Sequence, residues 1–139
     1  MHNDHIGTQQ APLPSSGVIL FAHGSRDPQW REPIEAVART LAASRSDIAV
    51  SCAYLELCEP TLPDVVARWA QAGILRIGIT PMFLGAGRHA REDLPRMVEQ
   101  LRRQFPALDL RLSPPIGEDQ RMTALMAGIA ADSLGAAPA

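Results

Sequence analysis

Alternation of type constrains this chain more than any other feature: four short apolar runs each lead into a segment whose apolar residues recur at helical spacing. Residues 17–22 (GVILFA) are continuously apolar, as a strand covered on both faces must be. Ile34, Val37, Ala38 and Leu41 then fall at i, i+3, i+4 and i+7, which predicts a helix over about 29–44 with Pro33 in its first turn. A second strand is expected at 48–55, followed by a helix capped by Thr61, turning Leu62, Val65, Val66 and Trp69 inward and ending at Gly73. A third strand at 75–80 stops at Pro81. The next helix is expected to begin near Asp93 as cap, with Pro95 in its first turn and Leu94, Met97, Val98, Leu101 and Phe105 on one face. A fourth strand at 108–112 and a last helix over about 119–134, burying Met122, Leu125, Met126 and Ile129, complete the series.

Strands separated by helical crossovers pair in parallel, with helices on both faces. The expected fold is therefore α/β, a three-layer doubly wound sheet of four parallel strands. The length of 139 residues fits one domain, assigned to 17–135. Residues 1–16, with His2, His5, Pro12 and Pro14, read as a flexible tail, and 136–139 as a frayed end. The tail lacks the apolar stretch of a secretory leader, and no run reaches membrane-spanning length, so a cytoplasmic setting is expected.

Composition removes several functions. The formal net charge is -2, with 13 basic against 15 acidic residues, which does not suit a nucleic-acid binder. Every basic residue is Arg, so Schiff-base and P-loop lysines are excluded. Cys52 and Cys58, spaced C-x5-C, match neither a redox pair nor a zinc or iron–sulfur ligand set and read as reduced thiols.

In doubly wound sheets ligands bind beyond the carboxyl ends of the strands. The segments there are His23-Gly24-Ser25-Arg26-Asp27-Pro28, Glu56-Leu57-Cys58-Glu59-Pro60 and Phe83-Leu84-Gly85-Ala86-Gly87-Arg88-His89. His23 and His89, the two histidines outside the tail, both fall in them. Neutral imidazole accepts a proton or coordinates a first-row divalent metal near neutral pH, and a carboxylate such as Glu56 can draw in a cation or take up a proton. Gly24, Gly85 and Gly87 suit tight turns or the close approach of a flat ligand. Arg26, Arg88 and Arg91 offer cationic forks for carboxylates or phosphates, or for ion pairs with Asp27, Glu92 or Asp93.

The segments AHGSRDP, AYLELCEP and PMFLGAGRHAREDLP, in that order and each after a strand, resemble the small single-domain class II tetrapyrrole chelatases, the CbiX and SirB group of sirohydrochlorin chelatases. The resemblance runs over about residues 17–130. It implies a flavodoxin-like sheet of order 2-1-3-4 and insertion of a divalent metal into sirohydrochlorin in cobalamin or siroheme biosynthesis. Co2+ is the foremost expectation, with Fe2+ or Ni2+ as alternatives. By motif, His23 corresponds to the histidine of H-G-S-R, His89 to that of G-x-H-x-x-x-D, and Glu56 to the acidic residue of L-E-L, used in part of the family.

On that reading His23, His89 and Glu56 are both the catalytic groups and the transient metal ligands. Phe83, Leu84 and Gly85, beside Met82, line the macrocycle, while Arg26, Arg88 and Arg91 meet its carboxylates. The metal is a substrate, and no permanently bound cofactor is expected. Larger relatives use two such domains in tandem, so a homodimer is implied. Two alternatives stand beside it: a non-catalytic tetrapyrrole or metal carrier, and a histidine-dependent hydrolase or phosphatase. The last is disfavoured because Ala22, not Arg, precedes His23 and no G-x-S-x-G elbow occurs.

Overall fold

The computed structural model describes residues 14–137; the expected tail, with His2 and His5, lies outside the described residues as far as residue 13, as do the last two residues. Strands β1 (Ser16–Ala22), β2 (Ala49–Tyr54), β3 (Arg76–Pro81) and β4 (Asp109–Leu112) alternate with helices α1 (Pro28–Ser44), α2 (Leu62–Gln71), α3 (Arg88–Gln104) and α4 (Gln120–Ala131). All neighbouring strands are parallel, in the order β2-β1-β3-β4. This is the order that the resemblance implies. Phe21 lies opposite both Ala53 and Pro81, so the ends of β1, β2 and β3 finish side by side at one edge.

Side chains alternate across a strand, and the two faces of this sheet differ sharply. On one, Ile19, Phe21, Ile77, Ile79 and Leu110 meet Leu62, Val65 and Val66 of α2 and Leu94, Val98 and Leu101 of α3 in a single buried cluster. Each fully buried side chain of this kind contributes roughly 1.5–3 kcal/mol, so this layer carries most of the fold's stability. The other face is covered by α1 over β2, where the Cys52 thiol lies 3.9 Å from the Ile34 carbonyl and Trp30 packs against Tyr54. Thr61 caps α2, its hydroxyl accepting from the Asp64 amide at 3.3 Å, and Gly73 ends that helix region with φ +83.

Three helices depart from expectation. Helix α1 takes Pro28 as its first residue, capped by Asp27, so Pro33 lies inside the helix rather than in its first turn. Helix α3 begins at Arg88 with Gly87 as its cap, earlier than Asp93, so Pro95 sits inside it. In its opening turns only the small Ala90 packs, partly buried, against the core, and the fully buried positions begin with Leu94. Helix α4 does not bury Met122, Leu125, Met126 and Ile129: it has no buried residue, and Leu125 and Ile129 are 57% and 60% exposed. The alternation explains why. With Ile77, Ile79 and Leu110 turned to the core, the opposite face of β3 and β4 presents Arg76, Gly78, Thr80, Asp109 and Arg111, which offers an apolar helix no seat.

Candidate active site

The ladder between β1 and β2 continues past the strands themselves. Leu55 donates its amide to the Ala22 carbonyl at 2.9 Å, and Glu56 donates to the His23 carbonyl at 3.0 Å. His23 and Glu56 are thus locked to each other through the backbone, and both side chains are exposed. Gly24 makes that closeness attainable. Its φ is +99, and a Cβ there would stand 1.8 Å from the Glu56 carbonyl oxygen, so no larger residue fits. Leu57, with φ 67, then turns the second loop away. The rest of the first loop starts α1: Asp27 donates its amide to the Ser25 hydroxyl at 3.1 Å, and its carboxylate accepts from the Gln29 amide at 2.9 Å, with Pro28 at the first helical position.

The third loop is tied to the first. Met82 donates its amide to the Phe21 carbonyl at 2.7 Å, which brings the Phe83 ring against His23 with centroids 4.4 Å apart and planes at 30°. Phe83 is buried and meets Phe21 edge-on at 6.0 Å. Leu84, 71% exposed, and Gly85, with open space around its Cα, project beyond it. Arg88, His89 and Arg91 lie in the first turn of α3, all exposed, rather than in a free loop. Arg88 pairs with Glu92 at 3.3 Å, an exposed i,i+4 contact worth only tenths of a kcal/mol and easily exchanged for a ligand. Arg26 is exposed beside the Asp27 cap.

The structure therefore gathers His23, Glu56 and Phe83 by direct contact and sets His89 in the first turn of α3, the helix that follows the neighbouring strand β3. Among the described residues, no three His, Cys, Asp or Glu side chains converge as a metal-binding group. Donors spread over separate loops suit an ion in transit rather than one held fast. Away from these residues, burial pushes the Cys52 thiol and the Tyr54 hydroxyl up, and Asp119, bonded by Arg121, is lowered to about 2.

Reading the sequence singled out the ends of three strands and passed over the fourth. The segment after β4 closes on the site: Gly117 donates its amide to the Phe83 carbonyl at 2.9 Å, and a Cβ on Gly117 would meet the Leu84 carbonyl oxygen at 1.9 Å. A cavity of about 410 Å³ opens there, lined by Phe83, Ala86, Arg91, Leu94, Pro115 and Glu118 among others. The signal was available in Ser113-Pro114-Pro115-Ile116-Gly117-Glu118, a turn-rich run in the same position relative to its strand as the other loops.

Residues 17–132 match the CbiX family model. The chain belongs to the CbiX family. The CbiX protein of Marinobacter aquaeolei VT8 superposes with a TM-score of 0.76 at 35% identity, covering 86% of this chain and 97% of that one. Sirohydrochlorin cobaltochelatase of Methanopyrus kandleri is 36% identical over 81 residues, 58% of this chain and 57% of the relative. Sirohydrochlorin cobaltochelatase of Methanosarcina acetivorans is 34% identical over 79 residues, 57% of this chain and 61% of its own length. The matched stretch thus spans about three fifths of these curated relatives. The cobalt complex of SirB from Bacillus subtilis shares the fold, with a TM-score of 0.69 at 24% identity, over 84% of this chain and 50% of SirB.

Proposed function

We propose that this CbiX chain inserts a divalent metal into sirohydrochlorin, with Co2+ the foremost substrate ion and Fe2+ and Ni2+ the alternatives. The carrying observation is the backbone lock between His23 and Glu56 at the end of β1, with His89 on the adjacent β3 side of the same edge. The names of the relatives from Methanopyrus kandleri and Methanosarcina acetivorans support the substrate and the cobalt. Insertion requires a metal stripped of water and the loss of two pyrrole protons. Imidazoles at positions 23 and 89 serve as transient ligands or proton acceptors, and Glu56 assists metal capture or carries protons away. Arg26, Arg88 and Arg91 bind the macrocycle's carboxylates as bidentate forks, and exposed Leu84 beside open Gly85 meets its rim. No permanently bound cofactor is needed, because the metal enters and leaves as substrate and cargo.

Mixing the protein with sirohydrochlorin and Co2+ under anaerobic conditions tests this directly. Catalysed insertion appears as an absorption change that continues over many equivalents of substrate. A change that stops at one equivalent supports the carrier alternative instead and overturns the enzyme. Comparing initial rates with Co2+, Fe2+ and Ni2+ then ranks the ions.

The working form is a homodimer in the cytoplasm. Helix α4 supports the first part: it carries no charge between Arg121 and Asp132, exposes Leu125 and Ile129, and finds no seat on its own sheet. An uncharged helix of this kind is ordinarily covered, here by a second copy. Two unpaired thiols suit a reducing compartment. The expected result in analytical ultracentrifugation is a dimer that Ile129→Glu converts to a folded monomer. A monomeric wild type at micromolar concentration contradicts the assignment.

A further inference from the structure

We propose that Phe83 is a positioning residue: its buried ring is the platform on which the His23 imidazole lies, holding His23 by its face so that both ring nitrogens stay unengaged. The kinetic part of this inference rests on the chelatase reading; the structural part does not. The centroid distance of 4.4 Å and the 30° interplanar angle are those of a stack. Imidazole nitrogens lie in the plane of the ring, so a stacking contact occupies neither of them.

Metal-binding and catalytic histidines are usually oriented by a hydrogen bond to one nitrogen, which fixes the tautomer and raises the basicity of the other. Here, among the described residues, no side-chain hydrogen bond reaches His23, while the turns around it are bonded within themselves. A face-held imidazole suits a site that must release what it takes. Either nitrogen can accept a pyrrole proton while the other gives one up, and among the described residues no carboxylate hydrogen-bonded to the ring strengthens its grip on the metal.

The platform itself is rigid. Phe83 is 5% exposed, Phe21 abuts it edge-on, Gly117 donates to its carbonyl, and the preceding residue is bonded to Phe21. A ring held on so many sides can transmit a fixed orientation to an exposed neighbour. Replacing it with leucine keeps the position apolar and most of the space filled while removing the flat surface.

The test compares Phe83→Leu with Phe83→Tyr, the latter keeping the ring. In the sirohydrochlorin and Co2+ assay, Phe83→Leu is expected to lower kcat about tenfold with KM for the tetrapyrrole within about twofold, because orientation and not ground-state binding is lost. Phe83→Tyr is expected to recover most of that kcat. Full kcat in Phe83→Leu, or a loss confined to KM, overturns the inference, the latter by making Phe83 a substrate contact. NMR of the wild-type protein supplies a second arm: ring current from Phe83 shifts the carbon-bound His23 ring protons upfield, and the shift disappears in Phe83→Leu. An unshifted His23 in the wild type overturns the stack even if Phe83→Leu does not fold. A wild type that inserts no metal but shows the upfield shift refutes the chelatase reading and leaves the platform standing.

Discussion

Gly24→Ala is expected to be the most damaging single methyl group that can be added to this chain. The new Cβ would lie 1.8 Å from the Glu56 carbonyl oxygen, which is backbone and cannot swing aside as a side-chain tip could. The φ of +99 is itself strained for any residue with a Cβ. Overpacking of this kind costs about 1–3 kcal/mol and the dihedral about 1–3 more, a large share of the 5–15 kcal/mol that holds a domain together. The first and second loops must part, and the Glu56 amide then loses the His23 carbonyl. The expected observation is a melting temperature lower by roughly 10 °C or more together with loss of metal insertion. Wild-type melting in Gly24→Ala would mean that the two loops are not pressed together as described.

His23→Ala and His89→Ala are expected to lower the insertion rate by roughly 10²–10⁴-fold each, the range that a positioned proton acceptor supplies. Both side chains are exposed, so neither substitution opens a cavity and thermal melting should be nearly unchanged. That separation of activity from stability distinguishes these positions from Gly24. Glu56→Gln is expected to have a smaller effect, since a carboxylate that helps a metal or proton along is partly replaced by solvent. Turnover in His89→Ala at the wild-type rate would remove His89 from the mechanism and leave His23 as the sole imidazole.

Much of the fold is legible in the sequence. Continuous apolar runs mark strands covered on both sides, and the helical spacing of Leu62, Val65 and Val66 or of Leu94, Val98 and Leu101 marks the face that meets the sheet. What periodicity reports poorly is a helical turn whose inward residue is a single small alanine, and so the start of α3 at Arg88 was hidden until Leu94. The failure at α4 has the opposite cause. Its apolar stripe is present, but stripes state only that a face wants cover, not that the parent sheet provides it, and Arg76, Thr80 and Arg111 on β3 and β4 do not. At the candidate site, the rule that ligands bind beyond strand ends pointed to His23, Glu56 and His89, and the structure has all three exposed just past β1, β2 and β3. The contact between His23 and Phe83 depends on the adjacency of β1 and β3, which spacing along the chain does not encode.

The margins of the sheet carry one more consequence. Strand β4 has only four residues, and Pro114 and Pro115 follow closely, while at the other margin Thr61 bridges to Tyr54 and closes the end of β2. The β4 margin, so short and followed by two prolines, gives a stray strand of another molecule few amides and carbonyls to zip onto. At that margin, association with neighbours in a crowded solution is therefore steered away from open-ended sheet growth and toward side-chain contacts on the helices, where it can stop at a finite size.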